Sequence, residues 1–395
     1  MLGVATRNDV SLARDSAPRD VVFTFSYVSW QAAARRGWFM PEDRLAQTLL
    51  SHRRVRRVLV CDLMRSLPVK LVRDLTERET VAFPAGERAQ QLQPVRLRRH
   101  DPASLGGARR AVATYERAMR RAAARMGLHE PAVITAHPLL AGFLDGDWAR
   151  SVTYYATDDW AAYPPHSRYW PAYRQSFAQV GERRRRVAAV SVPVLERLAP
   201  TGPSAVIPNG LQPAEWIGDP APPAWVADLP RPLLLYTGSL DDRLDVTVLI
   251  AIARALPSAT VLLVGPLLDE RHLLPLRALP NIEIRPALSR AAIAGLIRVA
   301  DCGLIPHVRS PLTEAMSPLK LYEYLAGGLP VVAADLPPMR GVDLRVALVQ
   351  RPEDYPAAVL DALHAGRAGE NERLTFLHTN SWAARHERLL ELALA

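Results

Sequence analysis

The sequence predicts an α/β protein of two domains, each built on a parallel sheet that helices cover on both faces. The chain has 395 residues, which exceeds the roughly 250–300 residues at which a single hydrophobic core stops growing. Short apolar segments alternate with longer segments of helical periodicity, and this alternation is typical of a doubly wound parallel sheet. A Pro-rich stretch at 213–232 interrupts the alternation, so we expect it to be a linker between the domains.

The first run of alternating segments predicts an N-terminal domain at 1–212. Its buried strands are expected at 21–25, 58–60, 132–135, 152–155, 188–191 and 205–207. Its helices are expected at 41–51, 105–126 and 173–186. The helix at 105–126 has a strongly basic face, because it carries Arg109, Arg110, Arg117, Arg120, Arg121 and Arg125.

The second run predicts a C-terminal domain at 233–376 and a last segment at 377–395. Its strands are expected at 233–237, 260–264, 281–285, 302–306 and 331–334. Its helices are expected at 245–255 and 291–300, and a final helix at 379–395. The chain therefore reads as two Rossmann-like halves with a cleft between them, and open α/β sheets bind ligands at the carboxyl ends of their strands.

The segment at 317–335 predicts a helix, a turn and a buried strand that suit a phosphate ligand. Ser317 is expected to be the N-cap and Pro318 the first helical residue. A helix start presents free N–H groups and a partial positive charge, which favour an anion. Lys320 and Glu323 lie three residues apart on one face, so they place a cation beside the phosphate and a carboxylate one turn deeper. Together these features predict a site for the diphosphate and ribose of a nucleotide.

A simpler interpretation is a capped surface helix whose Lys320 and Glu323 pair only with each other. The composition argues against it, because the chain contains 47 Arg but only two Lys, Lys70 and Lys320. A compact ammonium differs physically from a guanidinium fork, so a lysine at this helix start favours a ligand-binding role.

Two further groups of side chains follow predicted strands. Gly238 lets the backbone approach a ligand closely, and Arg243 offers a guanidinium for phosphate oxygens. In the N-terminal half, Asp158 and Asp159 form either part of an acceptor site for sugar hydroxyls or a capping turn. His137 also follows a strand, and it is either structural or directed into the site.

Composition argues against several other classes of protein. Cys61 and Cys302 have no metal or redox spacing, so neither a disulfide framework nor a zinc site is expected. The first 20 residues lack the apolar core of a signal peptide, and no apolar run approaches the ~18–20 residues that span a bilayer. We therefore expect a protein without metal or other cofactor, located in the cytoplasm or peripherally on the inner face of the plasma membrane.

Charge is distributed unevenly along the chain. Residues 1–210 carry 32 Arg and Lys against 19 Asp and Glu, whereas the remainder carries 17 against 21. This asymmetry indicates an anionic partner for the N-terminal half, which could be a membrane surface, a charged acceptor or a nucleic acid. The alternative is that the arginines only form the solvent-exposed faces of helices. Nucleic acid is the least favoured partner, because the basic residues are not interleaved with aromatic ones and form no known binding module.

Several segments in this order resemble the nucleotide-sugar domain of the GT-B glycosyltransferases, especially family 4 and its relatives in bacterial surface-polysaccharide synthesis. They are LYTGSLDDRLD at 235–245, LLVGP at 262–266, DCGLIPH at 301–307 and SPLKLYEYLAGGLPVVAAD at 317–335. The resemblance covers 150–390 well and 20–150 in outline. It implies two Rossmann-like domains facing a central cleft, and a last helix that crosses back to the N-terminal domain.

The resemblance also implies roles for individual residues. Lys320 and Arg243 would neutralise the donor diphosphate, Glu323 would bind the ribose and His137 would face the donor sugar. The rest of the donor site would come from Gly238, Ser239, Arg285, Ser317, Pro318 and Leu319.

The chain departs from the family pattern at two places. Members often carry two Glu with seven residues between them, and the first of these positions is Ala315 here, with Glu314 displaced by one. Either Glu314 or the backbone N–H groups of 315–317 would then hold the sugar. The Gly-Gly loop after the first strand is replaced by 26–30, so the acceptor side is less defined.

The function implied is transfer of a sugar from a nucleotide-diphosphate-sugar donor to a saccharide, lipid-linked or natural-product acceptor. Family 4 implies retention of the anomeric configuration, without a metal. Asp158 or Asp159 becomes the candidate general base if the reaction inverts. The alternatives are a sugar-nucleotide epimerase of the same fold and, from another class, a basic nucleic-acid-binding protein.

Overall fold

The computed structural model describes residues 17–68, 81–97, 100–218 and 220–395, so Lys70 lies outside the described residues. The chain divides into two compact units. Unit 1 comprises the described residues up to 189 together with 195–207 and 386–395, and unit 2 comprises 190–194 and 208–385. Each unit contains one main parallel sheet with helices, which confirms the predicted α/β fold class.

The strands lie close to their predicted positions, and the parallel pairing is complete in both main sheets. They are β1 (Arg19–Thr24), β2 (Val55–Cys61), β3 (Arg65–Ser66), β4 (Ala89–Leu92), β5 (Val95–Arg96), β6 (Ala132–Thr135), β7 (Ser151–Ala156), β8 (Arg186–Ala189), β9 (Ser204–Val206), β10 (Leu233–Thr237), β11 (Thr260–Val264), β12 (Ile282–Arg285), β13 (Cys302–Ile305), β14 (Val331–Ala334) and β15 (Val346–Val349). β4, β15 and the short β3–β5 pair were not predicted from the sequence.

The helices cover the sheets and connect parallel strands. They are α1 (Trp30–Arg35), α2 (Pro41–Ser51), α3 (Leu105–Arg125), α4 (Pro138–Phe143), α5 (Trp170–Glu182), α6 (Val192–Leu198), α7 (Val246–Ala255), α8 (Glu270–Leu273), α9 (Arg290–Val299), α10 (Pro311–Ala315), α11 (Leu319–Ala326), α12 (Tyr355–Ala365), α13 (Glu370–Thr379) and α14 (Trp382–Leu394). Of these, α1, α4, α8, α10, α12 and α13 were not predicted.

Unit 1 is built on a seven-stranded sheet in the order β4-β2-β1-β6-β7-β8-β9, with neighbouring strands parallel. Its core includes Val21 and Phe23 of β1 and also Leu389 and Leu390 of α14, all fully buried. The hydroxyl of Thr48 on α2 lies 2.6 Å from Nδ1 of His386 on α14. The C-terminal helix therefore returns to the N-terminal unit, as the resemblance implied.

Unit 2 is built on a six-stranded parallel sheet in the order β12-β11-β10-β13-β14-β15. From β10 the chain adds β11 and then β12 on one side of the sheet, and from β13 it adds β14 and then β15 on the other side. The direction of the connections therefore reverses between β10 and β13, and the crevice of the sheet opens there. The carboxyl ends of β10 and β13 are consequently the places where a ligand is expected.

The Pro-rich stretch at 213–232, predicted to be a linker, lies within unit 2. Short 3-10 helices form at Pro213–Glu215 and Ala224–Asp228. Trp216 is 1% exposed and belongs to the core of unit 2 with Leu233. Apolar side chains thus fix part of this stretch despite its proline content.

Candidate functional site

The candidate site lies where β10 and β13 end in unit 2. Gly238 follows β10, His307 lies two residues beyond β13, and Lys320 belongs to the first turn of α11. The Lys320 Nζ atom lies 3.3 Å from Nε2 of His307 and 3.8 Å from the centroid of the Tyr236 ring. The ammonium therefore lies at the crevice of the sheet, between the two strand ends.

Gly238 is required by this arrangement. A Cβ atom at this position would lie 2.8 Å from Nζ of Lys320, and the residue has a φ of 132°, which L side chains rarely adopt. A side chain at 238 would therefore occupy the place of the ammonium and strain the turn. Gly238 thus lets the backbone approach the Lys320 cation closely, and its approach to a ligand stays a prediction.

The ammonium of Lys320 is held without a neutralising ion pair. Burial lowers the pKa of Lys320 well below its usual value, and the charge of Arg243 lowers it further, while Asp241 and Glu323 act in the opposite direction. Among the described residues, no carboxylate oxygen lies within 4.0 Å of Nζ. An anionic ligand would supply the missing counter-charge.

Arg243 lies close enough to Lys320 to influence its charge, so the structure brings these two predicted cations together. The Arg243 guanidinium contacts Asp241 through Nη2 at 2.7 Å and Nε at 2.9 Å. Burial alone would raise the pKa of Asp241, but the hydrogen bonds and charge of Arg243 outweigh burial and hold it below its usual value. Ser239, a predicted donor-site residue, accepts a hydrogen bond from Tyr236 through its carbonyl at 3.1 Å.

The start of α11 differs from the prediction in one respect. Ser317 is not the N-cap, because the helix begins at Leu319 and Pro318 occupies the N-cap position without a side-chain hydrogen bond. The Ser317 hydroxyl and carbonyl instead accept hydrogen bonds from Asn209, at 3.2 and 2.6 Å. This tertiary contact holds Ser317 outside the helix. The consequence is that no side-chain cap occupies the first N–H groups of α11, which suits an anion.

Glu323 is buried one turn beyond Lys320 and does not pair with it. Its carboxylate lies 2.5 Å from Nη1 of Arg290, and Nη2 of Arg290 lies 2.8 Å from Glu215. The simpler interpretation of α11, a pair between Lys320 and Glu323, is therefore wrong. Arg290 and Glu215 were not predicted as site residues.

A cavity of about 590 Å³ lies at the neighbouring strand ends, lined by residues 265–267 after β11 and 285–287 after β12. Arg285, a predicted donor-site residue, lines it while pairing with Glu283 at 2.5 Å and lying 4.8 Å from the Trp225 ring. A Cβ atom on Gly265 would lie 1.8 Å from the carbonyl oxygen of Gly238. The cavity therefore adjoins the Gly238 turn, because the backbone of Gly265, which lines the cavity, packs directly against the backbone of Gly238.

Glu314 is engaged elsewhere in unit 2. Its carboxylate lies 2.5 Å from Nη1 of Arg309, which also donates to the Asp335 carbonyl. The neighbouring Ala315 carbonyl accepts a hydrogen bond from the Ser191 hydroxyl. Both contacts hold the α10 segment, so the described contacts do not connect Glu314 with the Lys320 ammonium.

His137 lies in unit 1 and caps a helix. Its Nδ1 accepts a hydrogen bond from the Leu139 N–H at 3.1 Å, at the start of α4. Burial lowers the pKa of His137 to about 3, and the charges of His166 and Arg96 add to this effect. Its ring lies 4.8 Å from that of Tyr27. His137 is therefore a neutral capping residue at the edge of an aromatic cluster.

The aromatic cluster of unit 1 follows β1 and β7. Tyr27 contacts the rings of Trp160 at 5.0 Å and His166 at 4.6 Å, and its hydroxyl lies 2.5 Å from that of Tyr173. Tyr163 contacts His166 at 5.3 Å between ring centroids. Half-buried rings of this kind offer faces on which a sugar or another ring can stack.

Asp158 and Asp159 are held by local contacts beside this cluster. Asp159 is 2% exposed, pairs with Arg197, and accepts a hydrogen bond from the Ala161 N–H at 3.1 Å. Asp158 accepts one from the Asp159 N–H at 2.9 Å. The capping turn that the sequence left open is therefore present at Asp159.

Three residues of the site, His307, Arg290 and Glu215, were not predicted from the sequence, although a signal existed for the first of them. His307 lies two residues beyond the end of β13, so the rule that ligands bind at strand ends would have selected it. Arg290 begins α9, and its pairing with Glu323 depends on a tertiary contact that no local pattern encodes.

In the ranges that the structure describes, no three His, Cys, Asp or Glu side chains are grouped so that they could hold a metal ion. No described helix combines the length and the apolar character needed to cross a bilayer.

Residues 231–365 match the family model described as "Glycosyl transferases group 1". The chain is also similar to the putative teichuronic acid biosynthesis glycosyltransferase TuaH of Bacillus subtilis (strain 168), with 32% identity over 107 residues. That alignment spans 27% of this chain and 27% of the length of TuaH.

Solved structures resemble the chain over nearly its whole length. Sucrose-phosphate synthase from Thermosynechococcus elongatus has a TM-score of 0.67 and 15% identity, covering 95% of this chain and 98% of its own. The α,α-trehalose 6-phosphate synthase from Burkholderia multivorans has a TM-score of 0.67 and 13% identity, with the same coverage. HepE of Anabaena, solved in complex with UDP and glucose, has a TM-score of 0.57 and 15% identity, covering 94% and 98%. Residues 231–365 therefore resemble the glycosyl transferases group 1, and the chain as a whole has the fold of the GT-B glycosyltransferases.

Proposed function

We propose that the protein transfers a sugar from a nucleotide-diphosphate-sugar donor to an acceptor. The observation that carries this proposal is the Lys320 ammonium at the start of α11, next to Arg243 and the Gly238 turn and without a carboxylate partner. The match of residues 231–365 to a glycosyltransferase family model supports the same activity.

The chemistry follows from the charges. When the bond between sugar and diphosphate breaks, negative charge accumulates on the leaving phosphate oxygens. Lys320, Arg243 and the N–H groups of α11 would stabilise that charge in a preorganised way, which is often the largest contribution to catalysis. The resemblance to family 4 supports retention of the anomeric configuration and a reaction that does not depend on a metal.

The cavity beside Gly265 and Arg285 would receive the base of the nucleotide. It is about 590 Å³ in volume, and it adjoins the diphosphate position through the contact between Gly265 and Gly238. Glu323, held by Arg290, would accept hydrogen bonds from the ribose hydroxyls. The complex of HepE with UDP and glucose supports a UDP-sugar as the first donor to test.

The acceptor would bind to unit 1, on the aromatic cluster of Tyr27, Trp160 and His166. Aromatic faces stack on sugar rings. Asp158 and His137 are polar side chains that follow strands of the same unit, β7 and β6 respectively. A saccharide, a lipid-linked sugar and a natural product all fit this chemistry. Similarity to TuaH, which is named for teichuronic acid biosynthesis, supports a growing polysaccharide.

An anionic membrane surface is the proposed place of action. The exposed face of α3 carries Arg109, Arg110, Arg117, Arg120, Arg121 and Arg125. Glu116, its only acidic residue, is buried and accepts hydrogen bonds from the Asp145 and Gly146 N–H groups. Such a face is complementary to anionic lipid headgroups.

The proposal is tested by a thermal-shift screen against UDP-, GDP- and dTDP-sugars, followed by product analysis with the donor that binds. A donor that binds only the native state raises the melting temperature. We expect donor to be consumed only when a saccharide or lipid-linked acceptor is present. Isomerisation of the donor without acceptor would instead indicate an epimerase, and no shift with any of the donors would contradict the proposed site.

A further inference from the structure

His307 contacts the Lys320 ammonium but has no role in the activity proposed so far. It is 4% exposed, and its Nε2 lies 3.3 Å from both Lys320 Nζ and the Tyr236 hydroxyl. Its Nδ1 is buried and has no hydrogen-bond partner in the described part of the chain. A buried imidazole with an unpaired nitrogen is costly, so its presence calls for a compensating role.

The position of the imidazole is fixed by the backbone. His307 forms an isolated antiparallel bridge with Leu244, and the N–H of the following residue, Val308, donates to the Arg243 carbonyl at 2.9 Å. The Asp245 N–H donates to the Pro306 carbonyl at 2.8 Å. The segment after β13 is therefore tied to the segment that carries Arg243, so the backbone from which the imidazole extends is held in place.

The contact determines the tautomer of the imidazole. An ammonium group only donates hydrogen bonds, so Nε2 must be unprotonated and accept, and the proton of the neutral ring resides on Nδ1. The Tyr236 hydroxyl donates to the Ser239 carbonyl at 3.1 Å, so it does not compete for the Nε2 lone pair. Burial lowers the pKa of His307 well below its usual value, and the charges of Lys320 and Arg243 add to this effect, so the ring stays neutral.

The side chains in contact with the Lys320 ammonium, His307 and Tyr236, are neutral, so they leave its positive charge available for an anionic ligand. The groups that face Nζ are the imidazole, the Tyr236 ring, the repelling guanidinium of Arg243, and the attracting but more distant carboxylates of Asp241 and Glu323. A carboxylate in the place of His307 would satisfy the ammonium equally well, but it would neutralise the charge that a diphosphate needs. A neutral acceptor and a ring face orient the cation and keep it charged.

We propose that His307 is a positioning residue, whose unprotonated Nε2 holds the Lys320 ammonium charged and directed to the diphosphate site while that site is empty. The inference rests on the proposed function, since it assigns Lys320 to a diphosphate ligand. Removal of the acceptor would leave the ammonium less stabilised, so Lys320 would lose its proton at a lower pH and bind an anion less well at neutral pH.

Inorganic pyrophosphate is a suitable probe, because it presents the diphosphate without a nucleotide base. Its affinity is measured by calorimetric titration from neutral to alkaline pH for wild type, His307→Phe, His307→Gln and Lys320→Met. The wild-type affinity should fall as Lys320 deprotonates. For His307→Phe the fall should begin at lower pH, and the affinity at neutral pH should be about tenfold lower, as for loss of one hydrogen bond to a charged group.

His307→Gln should restore the wild-type profile, since the amide oxygen accepts a hydrogen bond as Nε2 does. A purely structural role of His307 would not produce a shifted profile that glutamine rescues. Lys320→Met gives the pH dependence that arises from pyrophosphate itself. If Lys320→Met binds pyrophosphate as tightly as wild type, the proposed donor site is wrong. If Lys320→Met loses affinity but His307→Phe binds pyrophosphate like wild type, the donor site stands and the positioning role of His307 is wrong.

A fourth variant keeps the test decisive if His307→Phe does not fold. His307→Glu places a carboxylate beside Lys320, so its melting temperature should be maintained while its affinity for pyrophosphate falls by at least tenfold. Unchanged affinity in His307→Glu would overturn the inference, because it would mean that the charge of Lys320 need not be kept free.

Discussion

The Glu323 carboxylate is held 2.5 Å from Nη1 of Arg290, and the same guanidinium reaches Glu215 at 2.8 Å. Glu323 is 5% exposed, so Arg290 is the partner of a buried carboxylate. Arg290 thus links the helix that carries Lys320 to the segment at 213–232, and it sets the orientation of the carboxylate that we assign to the ribose.

Arg290→Met should lower both stability and donor affinity. Loss of the partner leaves Glu323 buried and unpaired, which costs about 1–2 kcal/mol after allowance for the partial exposure of Arg290. We expect a lower melting temperature and a higher KM for the donor. Arg298→Met, on the same helix and 3.7 Å from Glu370, is the matched control and should change neither. An unchanged KM in Arg290→Met would remove Arg290 from the site.

Lys320→Met and Glu323→Gln should separate two contributions to turnover. Lys320→Met removes a charge that acts on the leaving diphosphate, so kcat should fall about 100-fold or more. Glu323→Gln removes a contact that is present in ground and transition states alike, so its main effect should be a raised KM. Steady-state kinetics with the donor identified by thermal shift provide the measurement. Near-wild-type kinetics for both variants would reject the site.

The basic face of α3 should bind anionic lipid at low salt. Arg117→Glu combined with Arg121→Glu should weaken binding to phosphatidylglycerol vesicles at least tenfold, since each basic residue near such a surface contributes about 1 kcal/mol. The control is Arg254→Glu combined with Arg271→Glu, which makes the same charge change on exposed residues of unit 2. Sedimentation with vesicles checks the prediction. Equal loss in both double variants, or tighter binding to random duplex DNA than to vesicles, would contradict it.

Acid should destabilise the protein partly through His386. Burial lowers the pKa of His386 to about 3, and His52 and Arg44 add to this effect. The unfolded chain therefore binds a proton near pH 6.5 that the folded chain does not bind until about pH 3, so stability is lost as the pH falls through this window.

His386→Gln should make the acid loss shallower by up to about 1.4 kcal/mol per pH unit. Urea unfolding at several pH values measures this slope. His364→Gln, which changes an exposed histidine, should leave the slope unchanged. His137 contributes to the same window, so a residual slope is expected. An identical slope in wild type and His386→Gln would show that His386 is not neutral in the folded state.

The architecture could be predicted from the sequence because it depends on local patterns. Apolar segments of three to five residues and the helical periodicity between them placed the main strands of both sheets within a few residues. The same patterns placed Gly238, Arg243 and Lys320 at the carboxyl ends of neighbouring strands, and the structure brings them together.

Contacts between distant segments could not be predicted in this way. The start of α11 depends on hydrogen bonds between Ser317 and Asn209, which are 108 residues apart. A local reading therefore makes Ser317 the cap, whereas the folded chain uses it to anchor the segment before the helix. The pair between Arg290 and Glu323 belongs to the same class of contact.

The number of arginines in the sequence likewise does not show which of them form a basic surface. Several guanidiniums cap the carboxyl ends of helices, and one of them, Arg373, is buried. Arg57 donates to the Met126 carbonyl at 2.7 Å, and Arg373 donates to the Ala326 carbonyl at 2.8 Å. Arg367 donates to the Ala300 carbonyl at 2.5 Å. Net charge alone does not separate these arginines from the exposed ones of α3.

The backbone contact between Gly265 and Gly238 restricts how this protein can diverge. No residue larger than glycine fits at 265, because its first carbon would lie 1.8 Å from the carbonyl oxygen of Gly238, and a side chain at 238 would crowd the ammonium and strain a turn whose φ is 132°. In the reaction proposed here, descendants of this chain can acquire a new nucleotide preference only through the remaining wall of the cavity, such as Leu267 and Arg285. The two glycines should stay unchanged across such a lineage while their neighbours vary.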